Sequence, residues 1–129
     1  SNAFNEEPLE KDNLWYVNMD GRAVFKFATK AVTKSIERVM ESAGVKPEEI
    51  KYVVPHQANA RIVDIISRKL GISNEKCYRN MAEYGNTSSA SIPIVLNELN
   101  EKGLIERGDK LLLTGFGGGM TWGTMLISW

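Results

Sequence analysis

The sequence predicts an α/β domain with layered helices and a mixed, mostly parallel sheet. Apolar residues recur in steps of three and four over three segments, and short apolar runs separate these segments. Such alternation of helices and strands is typical of a layer built on parallel strands. The last two apolar runs are joined by a short glycine-rich link, too short for a parallel crossover. We therefore expect the last strand to pair antiparallel with its neighbour.

The first helix is expected over residues 22–43, after a short strand at 14–17 and a turn at Asp20 and Gly21. Its apolar positions follow helical spacing and include Phe25, Ala28, Val32, Ile36 and Val39. Further apolar residues, at Val24, Phe27 and Ala31, widen the stripe and predict a helix covered on more than one side. Gly44 occupies the position where a helix end favours a left-handed residue.

The middle of the chain alternates between strand and helix. Residues 52–54 form a brief apolar strand that ends at Pro55, and residues 59–70 form a second helix that Gly71 ends. A short strand is expected at 77–78, followed by a loop at 81–86.

A third helix is expected over 88–102, with Pro93 near its first turn, where the missing N–H costs little. Residues 111–113 read as a buried strand by composition, and 120–128 read as the last strand.

Composition indicates one globular domain with a real core and excludes several function classes. The 129 residues are 43% hydrophobic and 25% charged. Sixteen basic residues balance sixteen acidic ones, so there is no basic excess for nonspecific binding to nucleic acid. There is neither a membrane-length apolar run nor a signal peptide. A single cysteine, Cys77, excludes an internal disulfide and fits a cytoplasmic location.

Three parts are expected along the chain. Residues 1–3, Ser-Asn-Ala, look like a remnant of tag removal, and residues 4–17 look like a lead-in segment that is polar over 4–13. The domain proper is then expected over 18–129.

Two polar residues stand just before helices and could act together. His56 follows a strand, and Asn86 precedes the third helix. Ligands of open α/β sheets gather at the carboxyl ends of strands, where helix N-termini favour negative charge. A neutral imidazole and a carboxamide can each donate a hydrogen bond to one carbonyl oxygen, which would stabilise an enolate.

Spacing alone leaves plainer interpretations open. His56 is the only histidine and could be a structural residue packed beside Pro55, and Asn86 could be a helix cap or turn residue. Residues 117–119, three glycines, could be a hairpin link or could let backbone N–H groups approach a ligand oxygen. Cys77 fits a buried structural thiol.

Three sequence blocks together resemble the C-terminal part of the beta-ketoacyl-acyl carrier protein synthase III family. They are Val-Pro-His-Gln-Ala-Asn-Ala-Arg-Ile at 54–62, Glu-Tyr-Gly-Asn-Thr-Ser-Ser-Ala-Ser-Ile-Pro at 83–93 and Gly-Phe-Gly-Gly-Gly-Met-Thr-Trp-Gly at 115–123. The resemblance implies the C-terminal half of a thiolase-like fold. It also implies a condensing enzyme that starts fatty acid synthesis from an acyl-CoA and malonyl-acyl carrier protein, using neither cofactor nor metal.

The resemblance also implies roles for particular residues. His56 and Asn86 match the catalytic pair that holds the malonyl thioester oxygen. Residues expected to line the site are Gly118, Phe116, Gln57 and Asn59; Gly118 would help form the oxyanion hole, and Gln57 and Asn59 would support the histidine. Basic residues expected to bind acyl carrier protein are Arg61, Lys26, Arg68 and Lys69, although a solvated helix face is the plainer interpretation. We also expect a homodimer.

The resemblance leaves one essential group unassigned. The family's nucleophilic cysteine lies in its N-terminal half, and Cys77 does not align with it, so this chain is expected to be inactive alone. Two alternatives stay open. One is a related acyltransferase, such as a quinolone or polyketide-starter synthase. The other is a noncatalytic domain that binds a carrier protein.

Overall fold

The computed structural model describes residues 19–129. The tag remnant, the lead-in segment and the strand expected at 14–17 lie outside the described residues. Helix α1 spans Gly21–Ala43, and the side chain of Asp20 caps its first N–H groups. Gly44 ends the helix in the left-handed conformation with φ 62°, as the sequence predicted.

Three strands form one sheet in the order β1-β2-β3, with β1 at Ile50–Pro55, β2 at Lys110–Gly117 and β3 at Thr121–Ser128. β1 and β2 run parallel, whereas β2 and β3 pair antiparallel across the short glycine link. The mixed sheet with an antiparallel last strand is therefore confirmed. The strand expected at 77–78 is reduced to a single bridge between Cys77 and Val53.

Three further α-helices follow in the described part of the chain: α2 at Ala60–Leu70, α3 at Met81–Tyr84 and α4 at Ser91–Glu101. The loop expected at 81–86 was wrong in part, because α3 occupies most of it. The third long helix begins later than predicted, since a 3₁₀ turn at Ser88–Ala90 precedes α4. Pro93 lies in the first turn of α4, as expected.

The sheet separates two packed layers. One face contacts α1 and α2, with Val32, Ile36 and Ile66 among the fully buried residues. The other face contacts α4 through Val95 and Leu99. Each strand serves both layers because consecutive side chains point to opposite faces.

The prediction that α1 is covered on more than one side was wrong. Its outer side carries a continuous row of exposed charged residues, at Lys26, Lys30, Lys34, Glu37, Arg38 and Glu41. α1 is therefore a surface helix with one buried side. Among the described helices, none is long and apolar enough to cross a membrane.

Candidate active site

His56 lies at the carboxyl edge of the parallel strands. β1 ends at Pro55, which pairs with Thr114 of β2. The backbone N–H of His56 donates to the Thr114 carbonyl at 2.8 Å, so the first residue beyond the strand is still fixed by the sheet. The parallel pairing puts the ends of both strands at one edge, which is where α/β sheets bind ligands.

The imidazole of His56 is held by two contacts. Nδ1 lies 2.7 Å from Oγ of Ser91, the first residue of α4. The ring meets the ring of Phe116 edge to face, with centroids 5.3 Å apart. The half-buried ring is thus tied to both β2 and α4, and Nε2 is the nitrogen that remains for a ligand.

Asn86 is exposed and oriented by its own backbone. Its Oδ1 accepts a hydrogen bond from the N–H of Ser88 at 3.0 Å. This is the turn-residue interpretation that spacing left open, and it has a chemical consequence. Because the oxygen of the carboxamide is engaged, Nδ2 is the donor end left for another group.

One open cavity of about 650 Å³ brings the predicted residues together. His56, Asn86, Phe116 and Gly118 all lie on its wall. A second cavity of about 420 Å³ shares His56 and Phe116 with the first and is also lined by Ser91 and Trp122. Residues far apart in sequence therefore meet around one imidazole.

The backbone is strained at the same place. Ser88 and Met120 have φ of 54° and 55°, and they are the non-glycine residues with positive φ in the described part of the chain. Both line the larger cavity. Such conformations cost about 1–3 kcal/mol and cluster at functional sites because surrounding structure must hold them.

Two residues expected to line the site do not lie on either cavity wall. Gln57 is fully buried, donates to the carbonyls of Pro55 and Tyr78, and accepts from the N–H of Asn80. The backbone bends at Gln57, where the N–H of Ala58 donates to the carbonyl of His56 at 3.0 Å, so Gln57 turns inward where His56 turns to the cavity. It anchors the loop at 78–80 to the end of β1.

Asn59 is also corrected as a lining residue. Its side chain caps α2 by accepting from the N–H of Arg61 at 2.9 Å. An N-cap of this kind fixes where the helix begins. Gln57 and Asn59 thus hold the two ends of the turn that carries His56.

The predicted basic residues lie on the exposed surfaces of two neighbouring helices. Lys26 is on α1, and Arg61, Arg68 and Lys69 are on α2. Lys69 also donates to the backbone carbonyl of Thr29 at 3.0 Å, so it joins α2 to α1.

Burial sets the charge state of two groups. Desolvation lowers the pKa of His56 below its usual value of 6.5, which favours the neutral ring at pH 7. Burial raises the pKa of the Cys77 thiol to about 11, so the only cysteine is neither ionised nor accessible. Among the described residues there is no cluster of three or more histidine, cysteine or carboxylate side chains that could hold a metal.

Ser91 is a residue of the site that was not predicted from the sequence. Its hydroxyl is buried against His56, but the two residues stand far apart in the chain. The one usable signal was that Ser91 lies in the same block as Asn86, near the start of the predicted third helix, which puts it near the same sheet edge.

In this layered α/β domain, a histidine and an asparagine line one cavity beside a glycine-rich hairpin. These features place the chain in the thiolase-like class of proteins. The chain belongs to the 3-oxoacyl-[acyl-carrier-protein (ACP)] synthase III family, since the profile of that family's C-terminal part matches residues 40–129.

Individual relatives agree with this assignment. The chain is 50% identical over 113 residues to beta-ketoacyl-[acyl-carrier-protein] synthase III of Clostridium acetobutylicum, covering 88% of this chain and 35% of that protein. It is 49% identical over 122 residues to the protein of the same name from Aquifex aeolicus, covering 95% and 40%. The chain therefore spans little more than a third of the length of these curated relatives.

Solved structures show the same fold. The synthase III of Aquifex aeolicus superposes with a TM-score of 0.88 at 48% identity, covering 92% of this chain and 38% of that one. OleA of Xanthomonas campestris, solved with cerulenin, superposes with a TM-score of 0.78 at 28% identity, covering 84% and 33%.

Proposed function

We propose that this chain supplies the decarboxylation half of an active site that condenses an acyl group with malonyl-acyl carrier protein and so starts fatty acid synthesis. The observation that carries the proposal is that His56 and Asn86, from two separate blocks of the sequence, line one cavity. After its internal hydrogen bond is made, each has a side-chain nitrogen left for a ligand, Nε2 of His56 and Nδ2 of Asn86.

The chemistry follows from those two donors. When the malonyl thioester loses carbon dioxide, the electron pair of the broken C–C bond moves into an enolate whose charge rests on the thioester oxygen. Nε2–H of His56 and Nδ2–H of Asn86 would donate to that oxygen. The enolate carbon then attacks an acyl thioester, and the thiolate that held the acyl group leaves. Oriented donors at developing charge are among the strongest catalytic devices known.

The acyl-carrying thiol must come from outside this chain. Cys77 is buried on the side of the sheet that packs against α2, and its pKa of about 11 keeps it protonated. A covalent acyl intermediate needs a thiolate that substrate can reach. Gly118 and Phe116, which line the cavity with His56, would then face that thiol and its acyl group.

The partners follow from the same proposal. Acyl-CoA and malonyl-acyl carrier protein are the substrates, and the exposed basic residues of α1 and α2 are suited to an acidic carrier protein. The complete protein would work as a cytoplasmic homodimer. Identity supports the synthase III reaction, because relatives named beta-ketoacyl-[acyl-carrier-protein] synthase III reach 50%.

The test is to assay the complete protein that contains this chain. With acyl-CoA and malonyl-acyl carrier protein it should release carbon dioxide and form a β-ketoacyl carrier protein in equal amounts. Transfer of the acyl group to another acceptor, with no carbon dioxide from the malonyl group, would favour the acyltransferase alternative. Carrier-protein binding without any turnover would favour the noncatalytic one.

A further inference from the structure

We propose that Ser91 is a positioning residue whose hydroxyl donates to Nδ1 of His56 and thereby holds the proton of the imidazole on Nε2, toward the cavity. This inference rests on the proposed function for its catalytic meaning, although the hydrogen bond can be tested without catalysis. It assigns a role to a residue that lines the smaller cavity and that the reaction chemistry alone does not require.

The 2.7 Å contact could run in either direction, because a hydroxyl and a neutral imidazole can each donate or accept. If Nδ1 carried the proton and donated, the hydroxyl proton of Ser91 would need another acceptor. Ser91 is 2% exposed, so water is not a ready substitute. Among the described residues, the hydroxyl has no other hydrogen-bond partner.

The usual alternative acceptor is not used either. Buried hydroxyls in helices commonly donate to the carbonyl four residues earlier, and Thr29 and Thr33 of α1 do so, to Phe25 and Thr29. Ser91 instead points to His56. A buried donor left without a partner is costly. Buried oxygens with an unused lone pair are found more often than buried donors without an acceptor. The hydroxyl therefore donates, Nδ1 accepts, and the ring proton stays on Nε2.

The position of Ser91 strengthens this assignment. It is the first residue of α4, an eleven-residue helix whose positive end disfavours an imidazolium beside it. Burial lowers the pKa of His56 in the same direction. A neutral ring has only one donor, so the choice of tautomer decides whether the cavity receives a donor or a lone pair.

α4 is itself fixed to the end of β1. Asn80 donates from Nδ2 to Glu98 of α4 at 2.7 Å, and the N–H of Asn80 donates to Gln57 at 3.1 Å. Glu98 also pairs with Lys102. The helix that carries Ser91 is thus tied through Asn80 to Gln57, the residue next to His56. This link fixes the position of the Ser91 hydroxyl relative to the imidazole of His56.

Nitrogen NMR of the imidazole is the test, and the single histidine makes the two ring signals unambiguous. In the chain labelled with ¹⁵N-histidine at a pH above about 7.5, where the neutral ring dominates, the original protein should show a protonated Nε2 and an unprotonated Nδ1. Ser91→Ala should shift the pattern toward a mixture of tautomers, and Ser91→Thr, which keeps a hydroxyl, should restore it. Ser89→Ala is the matched control, since Ser89 lines the same cavity without a bond to His56.

A protonated Nδ1 in the original protein would overturn the proposal, even if Ser91→Ala failed to fold. So would a folded Ser91→Ala chain with an unchanged tautomer. In the complete protein, Ser91→Ala should slow malonyl decarboxylation by about tenfold, roughly one neutral hydrogen bond, and Ser91→Thr should recover most of it. A complete protein that lacks all condensing activity would reject the proposed function while leaving the NMR result to decide the role of Ser91.

Discussion

Nδ1 of His56 lies 2.7 Å from Oγ of Ser91, although 35 positions separate the two residues in the chain. One residue follows the parallel strand β1, and the other begins α4. The contact therefore joins the sheet to α4, which packs on the face opposite α1 and α2. It lies on the wall of the smaller cavity. It makes the orientation of the imidazole depend on how α4 packs, and not on the local sequence around His56.

The stability of the chain should depend on pH through His56. Burial places its folded pKa below the unfolded value of 6.5, so the unfolded chain takes up a proton first. The stability that the neutral ring contributes is complete above pH 6.5 and is lost as the pH falls through the folded pKa. Urea unfolding at several pH values should show a smaller loss in His56→Gln than in the original chain.

Comparing the two proteins isolates the contribution of His56 to the loss of stability. Of the residues lining the two cavities in the described part of the chain, Asp20 is the only other ionisable one, and it is common to both proteins. Equal losses of stability in the two proteins between about pH 6.5 and 5 would contradict the burial of His56.

Gln57 and Asn59 should differ in what they contribute to stability. Gln57→Ala removes a buried side chain with three hydrogen bonds and leaves the N–H of Asn80 without its acceptor. We expect a loss of about 2–4 kcal/mol in the free energy of unfolding. Asn59→Ala removes an exposed N-cap and should cost about 1 kcal/mol. Chemical unfolding of both variants measures the difference, and a larger loss for Asn59→Ala would show that the cap, not the buried amide, is the stronger anchor.

The isolated chain should form no β-ketoacyl product. Its one thiol, Cys77, is buried, and burial raises its pKa to about 11. The thiol therefore stays protonated at neutral pH. Incubation with acyl-CoA and malonyl-acyl carrier protein, followed by mass spectrometry of the intact chain, checks this. Cys77→Ser is the control. Acylation of Cys77 together with turnover would show that the chain carries its own nucleophile.

Much of the fold was accessible from sequence because its long helices follow strong periodicity and end at Gly44 and Gly71. α3 was missed because four residues are too few to show a helical period. The antiparallel end of the sheet was predictable, since the link between β2 and β3 is too short for a crossover.

The site was only partly accessible from sequence. His56 and Asn86 could be placed at one sheet edge because His56 follows a strand that ends there and Asn86 precedes a helix that begins there. The position of Gln57 was predicted wrongly, since the chain bends there and turns its side chain away from the side that His56 faces. Ser91 could not be assigned to His56, because no local pattern encodes how α4 docks on β1.

Arg61→Glu in the complete protein should raise the apparent KM for malonyl-acyl carrier protein about threefold to tenfold at low salt, and leave a small malonyl thioester unaffected. Arg61 is exposed in the first turn of α2, close in sequence to His56, where an acidic carrier would approach. The effect should shrink with salt, because exposed charges are screened beyond about 8 Å at physiological ionic strength.

Arg107→Glu is the matched control for that measurement. Arg107 is also exposed, but it precedes β2 and so lies at the opposite end of the strand from Gly117. Similar losses for both variants, or for both substrates, would mean that Arg61 does not contact the carrier protein.

His56→Ala in the complete protein should separate the two half-reactions. Malonyl decarboxylation should fall by about a hundredfold to a thousandfold, since one donor to the enolate is lost. Transfer of the acyl group from acyl-CoA to the enzyme thiol should fall less than about tenfold, because His56 does not hold that oxygen. Equal losses in the two half-reactions, or a decarboxylation rate that stays unchanged, would contradict the assignment of His56 as the donor to the enolate.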